Sequence, residues 1–203
     1  MLILQANFNT VAYKPVRLIS INNINGNQGE IMFKKIMAVL ALLVAMVVII
    51  DTDWEVSHEV TIAASPSIVW SLLINAEGYA EWNRYSPNIK GRIAEGEVVW
   101  IEAHLDNEIR LVKNRVLSVM PEQELCWQSG GWYGYLARGT RCRWLSKTAN
   151  GDTLLVHHEI MSGPLAWLIE VLYRERIERG IQLVDDSVAE RAEALASLAL
   201  LND

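Results

Sequence analysis

The C-terminal part of the chain, roughly residues 165–201, carries the pattern that most restricts the fold. A polar face with Glu178, Gln182, Asp185, Glu190 and Glu193 is predicted opposite an apolar stripe. The stripe recurs at steps of three and four, which is the spacing of one face of an α-helix: Ile177, Ile181, Val184, Val188, Ala192 and Leu195. A helix of this length cannot bury such a stripe alone, so a broad partner must cover it.

Only Gly180 interrupts this helical pattern, and a glycine inside a helix costs about 1 kcal/mol relative to alanine. We expect Gly180 to mark one of two features. It is either the point where a short segment, residues 165–173, turns into the main helix, or a point where a strand or a ligand approaches the backbone closely.

The middle of the chain supplies short strands as that partner. Residues 55–63 alternate, with Val56, His58, Val60 and Ile62 on one face, and Ser65-Pro66 is typical of a helix start. Six more strands are predicted, at residues 91–95, 98–105, 109–120, 124–129, 136–145 and 153–161. The hairpin-length connections predict an α+β fold with an antiparallel sheet, and a curved sheet over one helix leaves room for a cavity.

The first fifty residues differ in character from the rest. Residues 1–31 are polar and Asn-rich, and we expect a disordered or untranslated extension there. Residues 32–52 contain Lys34-Lys35, then fifteen apolar residues without a charge at 36–50, then Asp51. That length lies between a signal-peptide core of about 7–15 residues and a membrane span of about 20.

Three interpretations of residues 36–50 stay open: an uncleaved signal anchor, a cleaved signal peptide and a buried soluble helix. No Ala-x-Ala-like cleavage site follows the run, which favours the uncleaved anchor, a transmembrane helix. The lysines precede the run, so the positive-inside rule predicts a cytoplasmic N-terminus and a domain outside the cytoplasm, in the periplasm if the source is bacterial.

Composition excludes several classes of function. The formal net charge is -6 and no basic stripe is present, which argues against nucleic-acid binding. The chain has no phosphate-binding loop, no nucleophile elbow and no metal-ligand spacing, so we expect neither cofactor nor metal. Cys126 and Cys142 lie on the two arms of a predicted hairpin and form a disulfide bond only if both face the same side. An extracytoplasmic compartment would permit that bond.

Two segments resemble a known superfamily. Residues 61–73 (TIAASPSIVWSLL) and 79–83 (YAEWN) are similar to the opening of polyketide cyclase/dehydrase-like members of the START/Bet v 1-like (SRPBCC) superfamily, although Arg84 replaces a usual proline. Segments around 116–127 and 151–165 extend the resemblance to about residues 56–195. It implies that residues 54–203 form a helix-grip domain, a curved seven-stranded antiparallel sheet around the C-terminal helix. It also implies binding of hydrophobic small molecules or lipids, with catalysis in only some members.

Candidate ligand-binding residues follow from this expected cavity. They are Trp70, Trp82, Trp127, Tyr135, Leu155, His157, Glu159, Ile177, Ile181 and Val184. The aromatic members would form a wall for a flat or apolar ligand, or would pack in the core. The last three would form the helical wall, with Val188 and Leu195 at the closed end.

Polar residues on the strands have alternative interpretations too. His157 and Glu159 share one face of the last strand, where they would act as acid and base, hold a polar ligand group, or form a structural pair. We expect a structural role for His58 and a solvent-facing position for Glu102 and His104. The aromatic tip at 132–135 would be a lid, a membrane-touching finger or an ordinary hairpin.

The leading hypothesis is a membrane-anchored domain that binds a hydrophobic small molecule or lipid without catalysis. Two alternatives stay open. One is a polyketide cyclase/dehydratase-type enzyme that uses His157 and Glu159, and the other is an envelope or stress-related protein-interaction domain.

Overall fold

The computed structural model describes residues 22–49, 53–105, 108–129 and 132–202. The chain divides into two compact units, residues 1–44 and 45–203. Helix α1 spans Asn22–Ile49, so it begins ten residues before the predicted anchor segment at 32–52. No helix in the described part of the chain is long and apolar enough to cross a membrane. The predicted span at 36–50 ends at Ile50, which lies outside the described residues, as do residues 1–21.

In its described residues the second unit contains a single seven-stranded antiparallel sheet in the order β1-β7-β6-β5-β4-β3-β2, which confirms the predicted fold class. The strands are β1 Trp54–Ile62, β2 Asn88–Lys90, β3 Val98–Leu105, β4 Glu108–Met120, β5 Glu124–Ser129, β6 Arg138–Lys147 and β7 Thr153–Ser162. Helix α2, Pro66–Ile74, and a 3-10 helix, Ala76–Glu81, separate β1 from β2. A second 3-10 helix, Trp132–Tyr135, joins β5 to β6, and α3 covers Ala166–Asn202.

The predicted second strand, at residues 91–95, is wrong. The strand lies just before it, at Asn88–Lys90, and Gly91 ends it with a φ of +110°. A Cβ at this position would lie 2.6 Å from the backbone oxygen of Val98, so both the conformation and the close packing require glycine. The chain then turns through residues 92–97, where Glu97 N–H donates to the carbonyl of Ala94.

Helix α3 is one continuous helix of 37 residues, so Gly180 is not a junction between two segments. The predicted stripe is buried from Ile177 to Ala192, and Leu195 is partly buried. Gly180 is instead a point of close approach, since a Cβ there would lie 2.5 Å from a ring carbon of Tyr85. The approaching group is an aromatic side chain from the loop before β2 and not a strand.

Strand register places the two ends of the sheet unambiguously. The start of β1, the end of β7, the β3–β4 and β5–β6 connections and the start of α3 all lie at one end, which we call the open end. The Trp54 indole Nε1–H donates to the Ala166 carbonyl at 2.8 Å and so joins β1 to α3 there. Helix α2 lies at the opposite, closed end, where Val69 and Leu73 pack into the main hydrophobic core.

The two cysteines form a disulfide bond. Cys126 on β5 lies directly opposite Cys142 on β6, and their sulfur atoms are 2.09 Å apart. The register that the sequence left open therefore places both side chains on the same face of the sheet.

Gly180 provides a test of this packing. We expect Gly180→Ala to lower the free energy of unfolding by about 1–3 kcal/mol, because overpacking against the Tyr85 ring outweighs the better helix propensity of alanine. Urea denaturation measures the change. In a Tyr85→Leu background Gly180→Ala should cost less than it does in wild type, so an equal cost in the two backgrounds would contradict the contact.

Candidate functional site

A cavity of about 630 Å³ lies between the concave face of the sheet and the first half of α3, next to the open end. This volume is typical of small-molecule sites. Its wall is mainly apolar and draws on several strands as well as the helix: Ile101, Ala103, Leu111, Val112, Trp127, Met161, Leu168, Ile169 and Ile177. Ile101, Ala103 and Val112 point inward because strand residues alternate between the two faces, and α3 covers the concave one.

One buried charged pair interrupts the apolar wall. Arg141 and Glu159 lie opposite each other on β6 and β7, and the Arg141 Nε–H donates to Glu159 Oε2 at 2.8 Å. An Nη2–H donates to the same oxygen, so the pair is held by two bonds. Burial disfavours the charged guanidinium, but the Glu159 carboxylate and Tyr85 outweigh burial and raise the pKa of Arg141. The pair is fixed and has no net charge.

Gly139 makes room for this pair. It lies on β6 opposite Met161 and lines the cavity. A Cβ at this position would lie 2.7 Å from Glu159 Oε1, so any larger residue would displace the carboxylate.

A second buried polar cluster lies between the sheet and α3. Asp185 is fully buried, and its two oxygens contact two imidazoles, His157 Nδ1 at 2.7 Å and His58 Nδ1 at 2.9 Å. Asp185 was assigned to the polar face of the helix, which is wrong. The face is polar at neighbouring positions, but two histidines from the sheet bind this carboxylate and stabilise its burial.

The charge states in this cluster follow from burial and from the charged neighbours. Burial lowers the pKa of His157 to about 3, and the nearby Arg143 guanidinium acts in the same direction. Burial alone would raise the pKa of Asp185, but the interaction with His157 and the hydrogen bonds from both histidines hold it below its usual value. Near neutral pH, His157 is therefore a neutral imidazole that donates its Nδ1–H to an ionised carboxylate.

Arg143 completes the buried polar interior. It lies opposite His157 in the β6–β7 register, and its guanidinium carbon is 4.7 Å from the centre of a Trp127 ring. Burial lowers the pKa of Arg143, although Tyr79 and the buried carboxylates favour its charged form. Trp127 thus separates a buried cation from the cavity that it lines.

The predicted site residues fall into distinct places. Trp127, Glu159 and Ile177 line the cavity, whereas Trp70, Trp82, Leu155 and Val184 belong to the hydrophobic core. Ile181 lines a separate groove beside β1, and Tyr135 is exposed. The predicted helical wall of Ile177, Ile181 and Val184 is therefore correct only for Ile177. The stripe runs along α3 away from the cavity, so its later members pack against the closed end.

The polar strand residues differ in their surroundings. His157 is buried against Asp185 and does not line the cavity, so it and Glu159 have separate partners despite sharing a face. His58 has the predicted structural contact. Glu102 and His104 bond to each other at 2.8 Å and are partly exposed, as expected for the outer face of β3.

Sequence reasoning missed several lining residues. They are Tyr85, Arg110, Asn114, Arg141, Leu168 and Tyr173. Arg141 had a detectable signal, because it alternates with Arg143 and Leu145 and so shares with them one face of β6. Arg110 and Tyr173 had no such signal in the sequence. They are 63 residues apart, and only the fold brings β4 and α3 close enough for their hydrogen bond of 2.7 Å.

No protein-family model matches the chain, and no curated protein matches its sequence. Its structure is similar to the Zhui aromatase/cyclase from Streptomyces sp. R1128, with a TM-score of 0.59, 18% identity and coverage of 70% of this chain and 94% of that one. A START superfamily protein from Mycobacterium smegmatis matches with a TM-score of 0.55, 14% identity and coverage of 70% and 98%. The chain has the SRPBCC helix-grip fold.

A plant protein shares this SRPBCC fold as well. Truncated norcoclaurine synthase from Thalictrum flavum matches with a TM-score of 0.53, 12% identity and coverage of 69% of this chain and 93% of that one. The fold implied by the sequence resemblance is thus confirmed. At these identities the likeness concerns the fold, so function must be argued from this cavity.

The buried histidine predicts how stability depends on pH. In the unfolded chain His157 is protonated below its ordinary pKa of 6.5, whereas in the folded protein it stays neutral down to about pH 3. The free energy of unfolding therefore falls as pH decreases from 6.5 to about 3. Asp185 adds to the loss, because its depressed folded pKa stabilises the fold above its unfolded pKa and that contribution disappears as pH falls through the folded one. We expect His157 to contribute a slope of at most about 1.4 kcal/mol per pH unit.

Urea denaturation between pH 7 and pH 4 measures this slope. His157→Gln should flatten it, whatever its effect on absolute stability. His158→Gln, on the outer face of the same strand, controls for the loss of a histidine. An identical slope in wild type and His157→Gln would show that His157 is not buried as a neutral group.

Proposed function

We propose that the domain binds an uncharged, mainly hydrophobic small molecule or lipid in the cavity and does not catalyse a reaction. The observation that carries this proposal is an apolar wall of ligand-sized volume whose buried charges, Arg141 and Glu159, neutralise each other. Apolar surface removed from water contributes about 25 cal/mol per Å², so such a wall favours hydrophobic ligands.

The charged pair also argues against an ionic ligand. A ligand that took Arg141 or Glu159 from its partner would leave the other charge buried and alone, at a cost of about 3–5 kcal/mol. A carbonyl or hydroxyl group can instead share the guanidinium or the carboxylate without breaking the pair. The favoured ligand is therefore hydrophobic with at most a neutral polar group.

The positions of His157 and Glu159 favour binding over acid–base catalysis by these two residues. A joint acid–base role needs both groups at one ligand atom. Glu159 lines the cavity and is hydrogen-bonded to Arg141, whereas His157 is hydrogen-bonded to Asp185 and does not line the cavity. The third hypothesis, an envelope or stress-related interaction domain, stays a prediction.

Filling the cavity tests the proposal. Ala103 lines it from β3, so Ala103→Phe should weaken binding of the neutral hydrophobic dye Nile red about tenfold, equivalent to about 1.4 kcal/mol. Ala80→Phe, in the exposed part of the first 3-10 helix, is the matched control and should bind as wild type. Fluorescence titration measures both. Equal affinity in all three proteins would refute binding in this cavity.

Native mass spectrometry of detergent-extracted protein complements the dye. Wild type should retain a co-purified neutral lipid or hydrophobic molecule, and Ala103→Phe should lose it while keeping the same circular dichroism spectrum. A retained mass in both proteins would place the molecule elsewhere.

We also propose that residues 36–50 attach the protein to a membrane, with the domain outside the cytoplasm. The support is the uncharged apolar run after Lys34-Lys35, together with the Cys126–Cys142 disulfide, which an oxidising compartment permits. Leu43 lies near the middle of the run, where a charge costs about 2.5–3.5 kcal/mol in a membrane.

Cell fractionation and thiol trapping test this attachment. Leu43→Arg should move the protein out of the carbonate-washed membrane fraction, whereas Leu43→Phe should leave it there. In cells the two cysteines should resist alkylation until a reductant is added. Free thiols in the wild-type protein would contradict the extracytoplasmic location.

A further inference from the structure

Strand β1 has one free edge. It is the first strand of the sheet and pairs only with β7 among the described residues. In an antiparallel pair, alternate residues direct their backbone N–H and C=O groups toward the partner strand, and the others direct them away. The Glu55 carbonyl accepts a hydrogen bond from Arg174 Nη2–H at 3.4 Å, and Ala63 N–H donates to Glu193 Oε1 at 3.0 Å. These bonds to α3 show that the odd-numbered residues of β1 face the free edge.

The middle of this free edge is open. Ser57, Glu59 and Thr61 lie between the two bonds to α3, and all three residues are exposed. No residue in the described part of the chain forms a hydrogen bond with their backbone groups on this side. Residues 57–61, which we call the open edge, span about 13 Å. A row of unpaired N–H and C=O groups is a template for another strand, so the open edge has room for an added strand of about five residues.

A groove lies beside the open edge. It has a volume of about 260 Å³ and is bounded by residues 55–58 of β1 and by side chains of α3. Val56 and Ile181 contribute apolar surface to it, and Glu55 and Glu178 contribute carboxylates. A lysine or arginine side chain suits this combination, because its aliphatic part packs on apolar surface while its charged end reaches a carboxylate.

The surroundings of the open edge are acidic. Carboxylates come from β1 and from the side of α3 that contacts it: Glu55, Glu59, Glu178 and Glu193. Arg174, the arginine that lines the groove, is already bonded to Glu170 and Glu178. His158 contacts Glu55 at 3.1 Å from the outer face of β7. Even with His158 protonated, negative charges exceed positive ones here, so the field favours a cationic partner.

We propose that the open edge binds an extended, basic segment of a partner protein, which adds to the sheet as a strand beside β1. Main-chain hydrogen bonds to Ser57, Glu59 and Thr61 supply affinity, and a lysine or arginine in the groove supplies selectivity. The residues that line the cavity do not include those of the open edge, so this inference is independent of the proposed function.

The same charges disfavour a second copy of this chain as the added strand. An antiparallel pair of β1 strands centred on the open edge would place the two Glu59 side chains directly opposite each other. Like charges at opposite positions of a strand pair are destabilising. A basic partner segment meets no such repulsion.

Amide hydrogen exchange of the full chain in detergent micelles, measured by NMR, tests the open edge without any substitution. In the free protein the amides of Ser57, Glu59 and Thr61 should exchange rapidly, whereas those of His58 and Val60, which face β7, should be protected. Protection of the three edge amides in the free protein would overturn the proposal. If that protection disappears on dilution, the occupant is a second copy of the chain.

Three synthetic peptides then probe the partner's chemistry by fluorescence anisotropy. The first alternates lysine and valine over seven residues, the second has glutamate in place of lysine, and the third is a fully N-methylated copy of the first. The lysine peptide should bind and should slow exchange at residues 57, 59 and 61. The other two should bind at least tenfold more weakly, because one has the wrong charge and the other has no backbone N–H to donate. Equal binding of the lysine peptide and its N-methylated copy would overturn strand addition.

Two variants of β1 locate the binding site. Thr61→Pro removes one N–H from the free edge and leaves the bonds to β7, so it should weaken lysine-peptide binding about tenfold with an unchanged circular dichroism spectrum. Glu59→Lys should weaken the lysine peptide and strengthen the glutamate peptide, a reversal that misfolding does not produce. Glu122→Lys makes the same charge change in the turn between β4 and β5 and should bind both peptides as wild type. Equal effects of Glu59→Lys and Glu122→Lys would place the peptide elsewhere and overturn the proposal.

Discussion

One buried carboxylate fixes the position of the long helix on the sheet. Asp185 lies on the face of α3 that packs against β1 and β7, and each of its oxygens contacts one histidine, His58 or His157. A hydrophobic stripe alone tolerates sliding by a turn, because one apolar residue replaces another. A buried charge does not, since a shift of about 5.4 Å would remove both partners and leave the carboxylate unpaired. The helix therefore has a single register, and the cavity a single shape.

Between this cluster and the closed end the interior is filled by side chains, and between the cluster and the open end it contains the cavity. Toward α2, the sheet and helix enclose Val69, Leu73, Val184 and Val188 in a packed core. Toward the open end, the Arg141–Glu159 pair and the surrounding apolar wall border empty volume. The polar residues form a boundary between these two halves. Arg143 and His157 lie within that boundary, facing each other across β6 and β7.

The sequence predicts well which side chains of a strand or helix face inward. It predicts poorly whether those side chains lie in the cavity or in the packed core. Helical spacing identified the buried stripe of α3, and alternation identified the inward side of β1, because both depend only on neighbours along the chain. The same patterns contain no information about whether a residue lies nearer the open or the closed end of the domain. Trp70, Trp82, Leu155 and Val184 were therefore assigned to the cavity wall, although they pack in the closed half.

Contacts between distant segments account for the other differences. The burial of Asp185 depends on His58, 127 residues away, and so a charged residue in a polar-looking position gave no local sign of its partner. Gly91 ended β2 because of the close backbone of Val98, which is near in sequence but belongs to the next strand. Conversely, the cysteine pair needed only a hairpin register, and the hairpin-length connection between β5 and β6 restricted that register to two choices.

The disulfide makes one side of the cavity, formed by β5 and β6, more rigid than the side formed by β4 and α3. Cys126 and Cys142 join β5 and β6, the strands that carry Trp127 and Arg141 on the cavity side, so a covalent link reinforces the hydrogen bonds of that wall. On the other side, β4 and α3 meet through the side-chain contact of Arg110 with Tyr173, which water can replace. A ligand too wide for the resting aperture would thus displace α3 from β4, while the cross-linked wall kept its shape.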